Sequence, residues 1–328
     1  MVRLTARSII DRPPADAIPP IGGLRAALAW LVMPALTRLL VNPVAGRGRA
    51  MRRLDAATRA LARVGPLDVV RTERSGDEAR LALEAARDGV RTLVVLGGDG
   101  TVSRVAGALA SAGADTPRAI LAAGTGNDVA QSLGTPVHDY AAMAERIAHG
   151  QTRRVDVGRL GGRPFVNAAG FGFDVAVLER MTRARWLRGD ALYIAAALAE
   201  LFRFDGVEAR VQVAPGVLDE RARWLLVVIA NGQWFGGSFR IAPAARLDDG
   251  RLDLVLVRDA GAWRRARLFA AAPFGAHVRA PEVRALSAQG MVVEPNGVGA
   301  CELDGELATV ERPVVDAEVL PCGLVCIA

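Results

Sequence analysis

Three short stretches carry the residue types that phosphate chemistry needs. Gly97-Gly98-Asp99-Gly100-Thr101 follows an apolar, β-branched run from Leu93 to Leu96, and Val102, Val105 and Leu109 then recur at helical spacing. A strand that breaks into a glycine turn and feeds a helix gathers backbone N–H groups and the positive helix end at one point, which makes an anion site without a lysine. The glycines let the backbone touch a phosphate, and Asp99 puts a carboxylate where a phosphate-bound Mg²⁺ would sit. Asn42-Pro43-Val44-Ala45-Gly46-Arg47-Gly48 and Gly124-Thr125-Gly126-Asn127-Asp128 repeat the pattern, each after an apolar strand. Any one of them is also an ordinary strand–helix turn. Three in succession argue for a ligand, because the loops at the carboxyl ends of parallel strands converge on one edge. None fits the dinucleotide G-x-G-x-x-G with its downstream acid.

Composition narrows the chemistry. All 41 basic residues are arginine, which excludes a Walker-A lysine, a Schiff-base lysine and a lysine general base. The net charge of +6 favours phosphates or an anionic membrane surface as partners. The arginines are scattered and only two tyrosines occur, so nucleic acid is not expected. Cys301, Cys322 and Cys326 form no metal knuckle or disulfide framework, which suits a reduced, cytoplasmic setting. His138, His149 and His277 lie in unrelated contexts, expected at the surface or at caps, and support neither a zinc site nor a histidine-based triad.

The elements that position these residues alternate at first. Strands at 36–41, 67–71, 93–96 and 118–122 are separated by helices at 49–64, 79–88 and beyond the glycine turns, with another helix at 140–149. That order implies a parallel sheet covered by helices. Beyond residues 150–156 the texture changes to strand-like runs punctuated by Gly and Pro: 155–160, 163–168, 207–213, 224–231, 252–257, 291–294 and 299–303. They predict a mainly antiparallel second domain. One helix, 190–204, is apolar on most of its circumference. Residues 24–33 read as an amphipathic or packing helix, since Pro34, Arg25 and Arg38 argue against a membrane span.

The ordered set Asn42-Pro-Val-Ala-Gly, Gly97-Gly-Asp-Gly-Thr101 and Gly124-Thr-Gly-Asn-Asp128 resembles the diacylglycerol kinase catalytic-domain family, which includes sphingosine and ceramide kinases and soluble bacterial lipid kinases. Asp156-Val-Gly158, Phe165-Val-Asn167-Ala-Ala-Gly170-Phe-Gly-Phe-Asp174, Asn231 with Gly236-Gly237, Asp248-Asp249-Gly250 and Leu303-Asp304-Gly305-Glu306 continue the likeness to the end of the chain. The resemblance implies two lobes with the active site in the cleft between them. One is a three-layer α/β nucleotide lobe like that of NAD kinase and phosphofructokinase (36–155, rejoined by 313–328). The other is an antiparallel β-sandwich lipid-binding lobe (156–312), and residues 1–35 are an extension outside the likeness.

By that resemblance, Asn42, Thr72, Gly98, Asp99, Gly100, Thr101, Gly124, Thr125 and Asn127 would bind ATP, with help from Arg47 or Arg49. Asp99 would take the catalytic Mg²⁺. Asp249, with carbonyls near Arg246 and Arg251, resembles a second, structural Mg²⁺ site. Asp128, Asp156 and Glu306 are supporting carboxylates. Asp304 resembles the general base that deprotonates a lipid hydroxyl, although an Asp-Gly pair is by itself ordinary in hairpins. The first loop departs from the family where many relatives carry Ser or Lys-Ser before its glycine. The implied partners are a lipid substrate and an anionic membrane surface touched peripherally; a homodimer stays open. An NAD kinase-like small-molecule kinase shares Gly-Gly-Asp-Gly-Thr but lacks the Asn-Pro opening and the Leu-Asp-Gly-Glu ending. A non-catalytic lipid-binding regulator of the same fold would have been signalled by loss of Asp99 or Asp304, and both are present.

Overall fold

The protein is described by a computed structural model covering residues 36–183, 190–296, 299–310 and 312–328, so the helix expected at 24–33 lies outside the described residues. Four parallel strands open the chain: β1 (Thr37–Val41), β2 (Leu67–Arg71), β3 (Thr92–Gly97) and β4 (Arg118–Ala122), in the order β4-β3-β1-β2. Both faces of this sheet are buried, as a parallel sheet requires. Leu93 and Val95 point to a core shared with α2 (Asp77–Arg87) and α3 (Asp99–Ser111). Val94 and Leu96 point to the opposite core, shared with α1 (Arg49–Leu61) and α5 (Tyr140–His149). The five-residue helix α4 (Asp128–Ser132) follows the third glycine turn. These are three layers.

Register sets the site. Val41 pairs with Leu96, and Leu96 with Leu121, so β1, β3 and β4 end side by side and their glycine loops emerge together. The backbone continues the alignment past the strands: Asn42 N–H donates to Leu96 O at 3.1 Å and Ala123 N–H to Gly97 O at 2.8 Å.

The second lobe is antiparallel apart from its link to the first. β9 (Leu218–Ala230) pairs with β7 (Ala168–Gly172), β8 (Val207–Val213) and β10 (Leu252–Arg258). Its Val227 and Ile229 face a core with Phe165, Phe171 and Trp224, whereas Val228 and Ala230 face a second apolar layer with Val255 and Leu268. The short β13 (Ala300–Leu303) and β14 (Glu306–Thr309) form a hairpin against β7. The final strand, β15 (Val315–Ile327), joins the lobes, pairing with β12 (Gly290–Pro295) and β5 (Thr152–Leu160) and, at Cys326, with Arg118 of β4. Among the described residues no helix is long and apolar enough to cross a membrane.

Several elements depart from the periodicity reading. Phe173–Arg183 (α6) and the helix Ala262–Ala271, here α8, follow strands without a clear start signal, and the pattern does not predict them. The helix expected at 190–204 is present as α7 (Asp190–Arg203). His277 is a correction: it is buried, not superficial, with Nε2 3.0 Å from Ile241 O, and burial lowers its pKa.

The lobes meet where two backbones touch. Gly237 has φ +80°, and a Cβ there would stand 2.7 Å from the Gly126 Cα. Gly237 N–H also donates to Asp128 Oδ1 at 2.7 Å. Gly237→Ala should therefore lower thermal stability by on the order of 2 kcal/mol, combining left-handed strain with overpacking. Gly299→Ala, which meets open space, should be close to neutral. Equal melting temperatures for the two variants would contradict this interface.

Candidate active site

The three glycine turns form one wall of a cleft of about 420 Å³. Gly46, Gly98, Asp99, Gly100, Gly124, Thr125, Gly126 and Asp128 line it from the first lobe; Asn167, Asp174, Phe235, Gly236, Glu302, Asp304 and Glu306 line it from the second. Close approach dictates the glycines: a Cβ on Gly124 would lie 2.7 Å from the Gly98 Cα. The cradle is backbone, not side chain.

Asp99 begins α3, where a carboxylate suits the positive helix end. Its Oδ2 accepts Asn127 N–H at 2.7 Å, and burial raises its pKa against those backbone donors. Asp128 is pushed up to about 7, by burial first and then by the neighbouring charge of Asp99. A half-buried and a buried carboxylate, both shifted toward the uncharged form, make a donor set suited to a hard divalent cation. Asn42 lies just behind the wall, where Nδ2 donates to Thr101 Oγ1 at 2.9 Å and to Glu78 Oε1 at 3.3 Å. Arg49 Nη2 donates to Thr125 Oγ1 at 2.6 Å, which brings a guanidinium to the cradle. Asn127 sits at φ +57°, its Nδ2 bonded to Gly124 O and its buried Oδ1 without a protein partner.

Asp304 occupies a two-residue hairpin turn with Gly305, at φ +50° and +85°, a pairing that matches the twist of flanking strands. Its carboxylate is 7 % exposed and accepts four bonds. Oδ1 takes Asn167 N–H at 2.8 Å and Ala168 N–H at 3.1 Å; Oδ2 takes Val166 N–H at 2.8 Å and the Ser103 hydroxyl. Burial raises the Asp304 pKa, and Ser103 leads the hydrogen bonds that oppose the rise. The hairpin turn and the cleft carboxylate are therefore one residue.

Other expected residues stand elsewhere. Thr72 is buried, with its N–H on Val41 O, and does not line the cleft. Asp156 accepts Gly250 N–H at 2.7 Å and Cys322 N–H at 2.8 Å, tying β5 to the turn at Gly250 and to the irregular middle of β15 rather than lining the cleft. The Arg246–Arg251 turn is away from the cleft wall; exposed Asp249 accepts Arg251 N–H at 3.1 Å. Burial and Asp249 push nearby Asp253 up to about 6. Among the described residues no three His, Cys, Asp or Glu side chains gather as a metal cluster. Glu306 accepts Arg104 Nη2 at 2.6 Å, an ion pair joining the lobes across Gly100.

Sequence reasoning missed Glu78, Ser103 and Glu302. Glu78 is buried and holds Asn42 and Arg104. Glu302 lies one strand position before the conspicuous Leu-Asp-Gly-Glu, and nothing in its spacing marks it as cleft-facing. With Asp174 it forms a buried acid pair, leaving Asp174 Oδ2 and Glu302 Oε2 without hydrogen-bond partners among the described residues. Burial pushes Asp174 up to about 7, and burial with the charge of Asp174 pushes Glu302 well above the usual carboxylate range.

A family model described as the diacylglycerol kinase catalytic domain matches residues 37–160. A second, described as the YegS C-terminal NAD kinase β-sandwich-like domain, matches residues 167–328. The chain is 34% identical over 287 residues to a diacylglycerol kinase of Mycobacterium tuberculosis, covering 83% of this chain and 91% of that one. It is 26% identical over 271 residues to a diacylglycerol kinase of Bacillus subtilis, covering 82% and 89%. A crystal structure described as a diacylglycerol kinase from Bacillus anthracis matches in fold with a TM-score of 0.69 at 22% identity, over 90% of this chain and 97% of that one.

The acid pair makes stability depend on pH. A carboxyl whose pKa is raised on folding favours the folded state at low pH, and that contribution is lost as pH rises from the unfolded value near 4 through about 7. Asp174→Asn keeps an acceptor for Val175 N–H and cannot ionise. The variant should gain on the wild type as pH rises from about 5 to about 8, by on the order of 2 kcal/mol. Melting curves across that range check it; a gap between the two proteins that does not change with pH contradicts the buried pair.

Proposed function

The chain belongs to the diacylglycerol kinase catalytic-domain family, and we propose that it transfers the γ-phosphoryl group of ATP to the hydroxyl of a diacylglycerol-like or sphingoid lipid. The observation that carries this reading is the placement of Asp304 on the cleft wall opposite the glycine turns, so that acceptor and nucleotide would meet between a carboxylate and a backbone cradle. Phosphoryl transfer asks a protein for positioning and charge neutralisation more than for covalent chemistry.

The residues divide the work. Backbone amides of the Gly98 and Gly124 turns, with Arg47 and Arg49 beside them, would hold the phosphates; Asn42, Thr101 and Asn127 brace the turns from behind. Asp99 would hold Mg²⁺ directly or through water, with Asp128 as its neighbour. When bound, that ion would neutralise charge on the transferring phosphoryl group. Asp249, with carbonyls near Arg246 and Arg251, remains the proposed seat of a structural cation. The lipid hydroxyl oxygen would attack the γ-phosphorus as the bond to the departing ADP breaks, and Asp304 would accept the hydroxyl proton. Three of its four donors are backbone amides fixed by β7 and the turn before it; the Ser103 hydroxyl alone can rotate away to admit a substrate hydroxyl at Oδ2. An apolar hollow lined by Phe173, Phe239 and Leu268 adjoins the cleft through Asp174 and Phe235, which line both, and gives an acyl chain its direction.

The test is transfer of label from γ-labelled ATP, with Mg²⁺, to a panel of lipids in mixed micelles. Asp304→Asn should lower kcat by about 10²–10⁴-fold. Ser103→Ala removes the leading hydrogen bond that favours the ionised carboxylate, so the acid limb of the kcat/KM profile should move to higher pH with the product unchanged. Full activity in Asp304→Asn, or label carried by NAD rather than by any lipid, would sink the proposal.

A further inference from the structure

Helix α8 presents two faces of opposite use. Arg265, Leu268, Phe269 and Ala272, the last just beyond its end, face inward and line the apolar hollow that adjoins the cleft. Arg265 fastens that face, donating to the Leu201 and Phe204 carbonyls at the end of α7 and to Asp259. Outward, the residues at helical spacing are Trp263, Arg267, Ala270 and, on the following short turn, Phe274. Trp263 is 91% exposed and Phe274 80%, extreme values for large apolar side chains, whereas Phe269 of the same segment lines the hollow. Phe202, 66% exposed, stands on the adjoining α7.

We propose that this outer stripe of α8 is the surface by which the protein docks on an anionic lipid bilayer, with Trp263 and Phe274 entering the interface and Arg264 and Arg267 meeting the headgroups. Four observations select a bilayer. An indole and a phenyl ring rimmed by guanidinium groups are the side chains that favour the boundary between acyl chains and charged headgroups. The side chains of Arg264 and Arg267 are 69% and 66% exposed, and the acid facing both is Glu282, 8% exposed, so cationic charge projects outward. A second copy of the chain packed on the same stripe would set arginines against arginines, whereas an anionic membrane offers the complementary sign. The helix that would lie on the lipid also lines the hollow that adjoins the cleft through Asp174 and Phe235, so the docked face and the site share one element.

The kinase reading supplies the reason to approach a membrane, but the primary test needs no catalysis, so the two ideas can fail separately. The full chain would be sedimented with vesicles of phosphatidylcholine mixed with phosphatidylglycerol and with vesicles of phosphatidylcholine alone. Preference for the anionic vesicles is expected, together with loss of about 10-fold or more in partitioning for Trp263→Ser/Phe274→Ser and for Arg264→Gln/Arg267→Gln. Phosphorylation of a water-soluble, short-chain diacylglycerol should be unchanged in both variants while phosphorylation of vesicle-borne diacylglycerol falls, which separates docking from misfolding. Wild-type sedimentation of both variants overturns the proposal. So does a change of oligomeric state in Trp263→Ser/Phe274→Ser with vesicle binding intact, because the stripe would then be a contact between copies of the chain.

Discussion

The carboxylate of Asp304 holds the cleft together. It draws the N–H groups of Val166, Asn167 and Ala168 from one side and the Ser103 hydroxyl from the other, so one side chain fixes the start of β7, the β13–β14 turn and helix α3 relative to each other. Ser103 belongs to the nucleotide lobe and the three amides to the sandwich. A buried carboxylate with four donors and no cation partner is tolerable because hydrogen bonds to the charged form offset much of its desolvation. The same arrangement leaves it exposed to the cleft on the side where an acceptor would arrive.

Around that anchor the lobes are joined by contacts that leave no room for side chains. Gly126 meets Gly237 backbone to backbone across the lobes, as Gly98 meets Gly124 within the first lobe. Gln131 Nε2 donates to the carbonyls of both Gly126 and Gly237, stitching the same seam. The same packing accommodates the complete absence of lysine: amide dipoles held in place by close-packed glycines would offer a phosphate fixed positive ends that cannot swing away.

Much of this was legible in the sequence, for a physical reason. The glycine loops are local: strand, turn and helix lie within a few residues, so periodicity and turn chemistry place Asp99, Gly98 and Gly124 on one edge before any tertiary contact is known. Asp304 was ambiguous because the left-handed Asp-Gly turn that makes it an ordinary hairpin residue is also what aims it into the cleft. Glu302, Ser103 and Glu78 were not legible. Each acquires its role from a partner far along the chain, and none stands in a spacing that differs from plain strand or helix. Thr72, by contrast, has the right address in sequence order but its strand end turns it inward. The α8 stripe escaped notice because arginines and scattered alanines around Trp263 look like any solvated helix until the opposite face is known to roof a hollow.

The cleft gathers carboxyl groups from both lobes. Asp99, Asp128, Asp174, Glu302 and Asp304 all line one cavity, and burial raises every one of them. A nucleotide bearing several negative charges could not approach that wall if all were ionised and bare. Two devices relieve the conflict. Burial raises the pKa of both Asp174 and Glu302, each with an oxygen that has no hydrogen-bond partner among the described residues, and so favours their uncharged forms. Asp99 and Asp128 lie beside the glycine cradle, where a divalent ion arriving with the phosphates would cancel their charge at the point of contact. Asp304 differs from the others in adding a side-chain hydroxyl, that of Ser103, to the backbone amides that oppose the rise. Where burial acts on every carboxylate of a cleft alike, it is hydrogen bonding that sets one apart from its neighbours, and such differences let one residue type take different tasks in a single site.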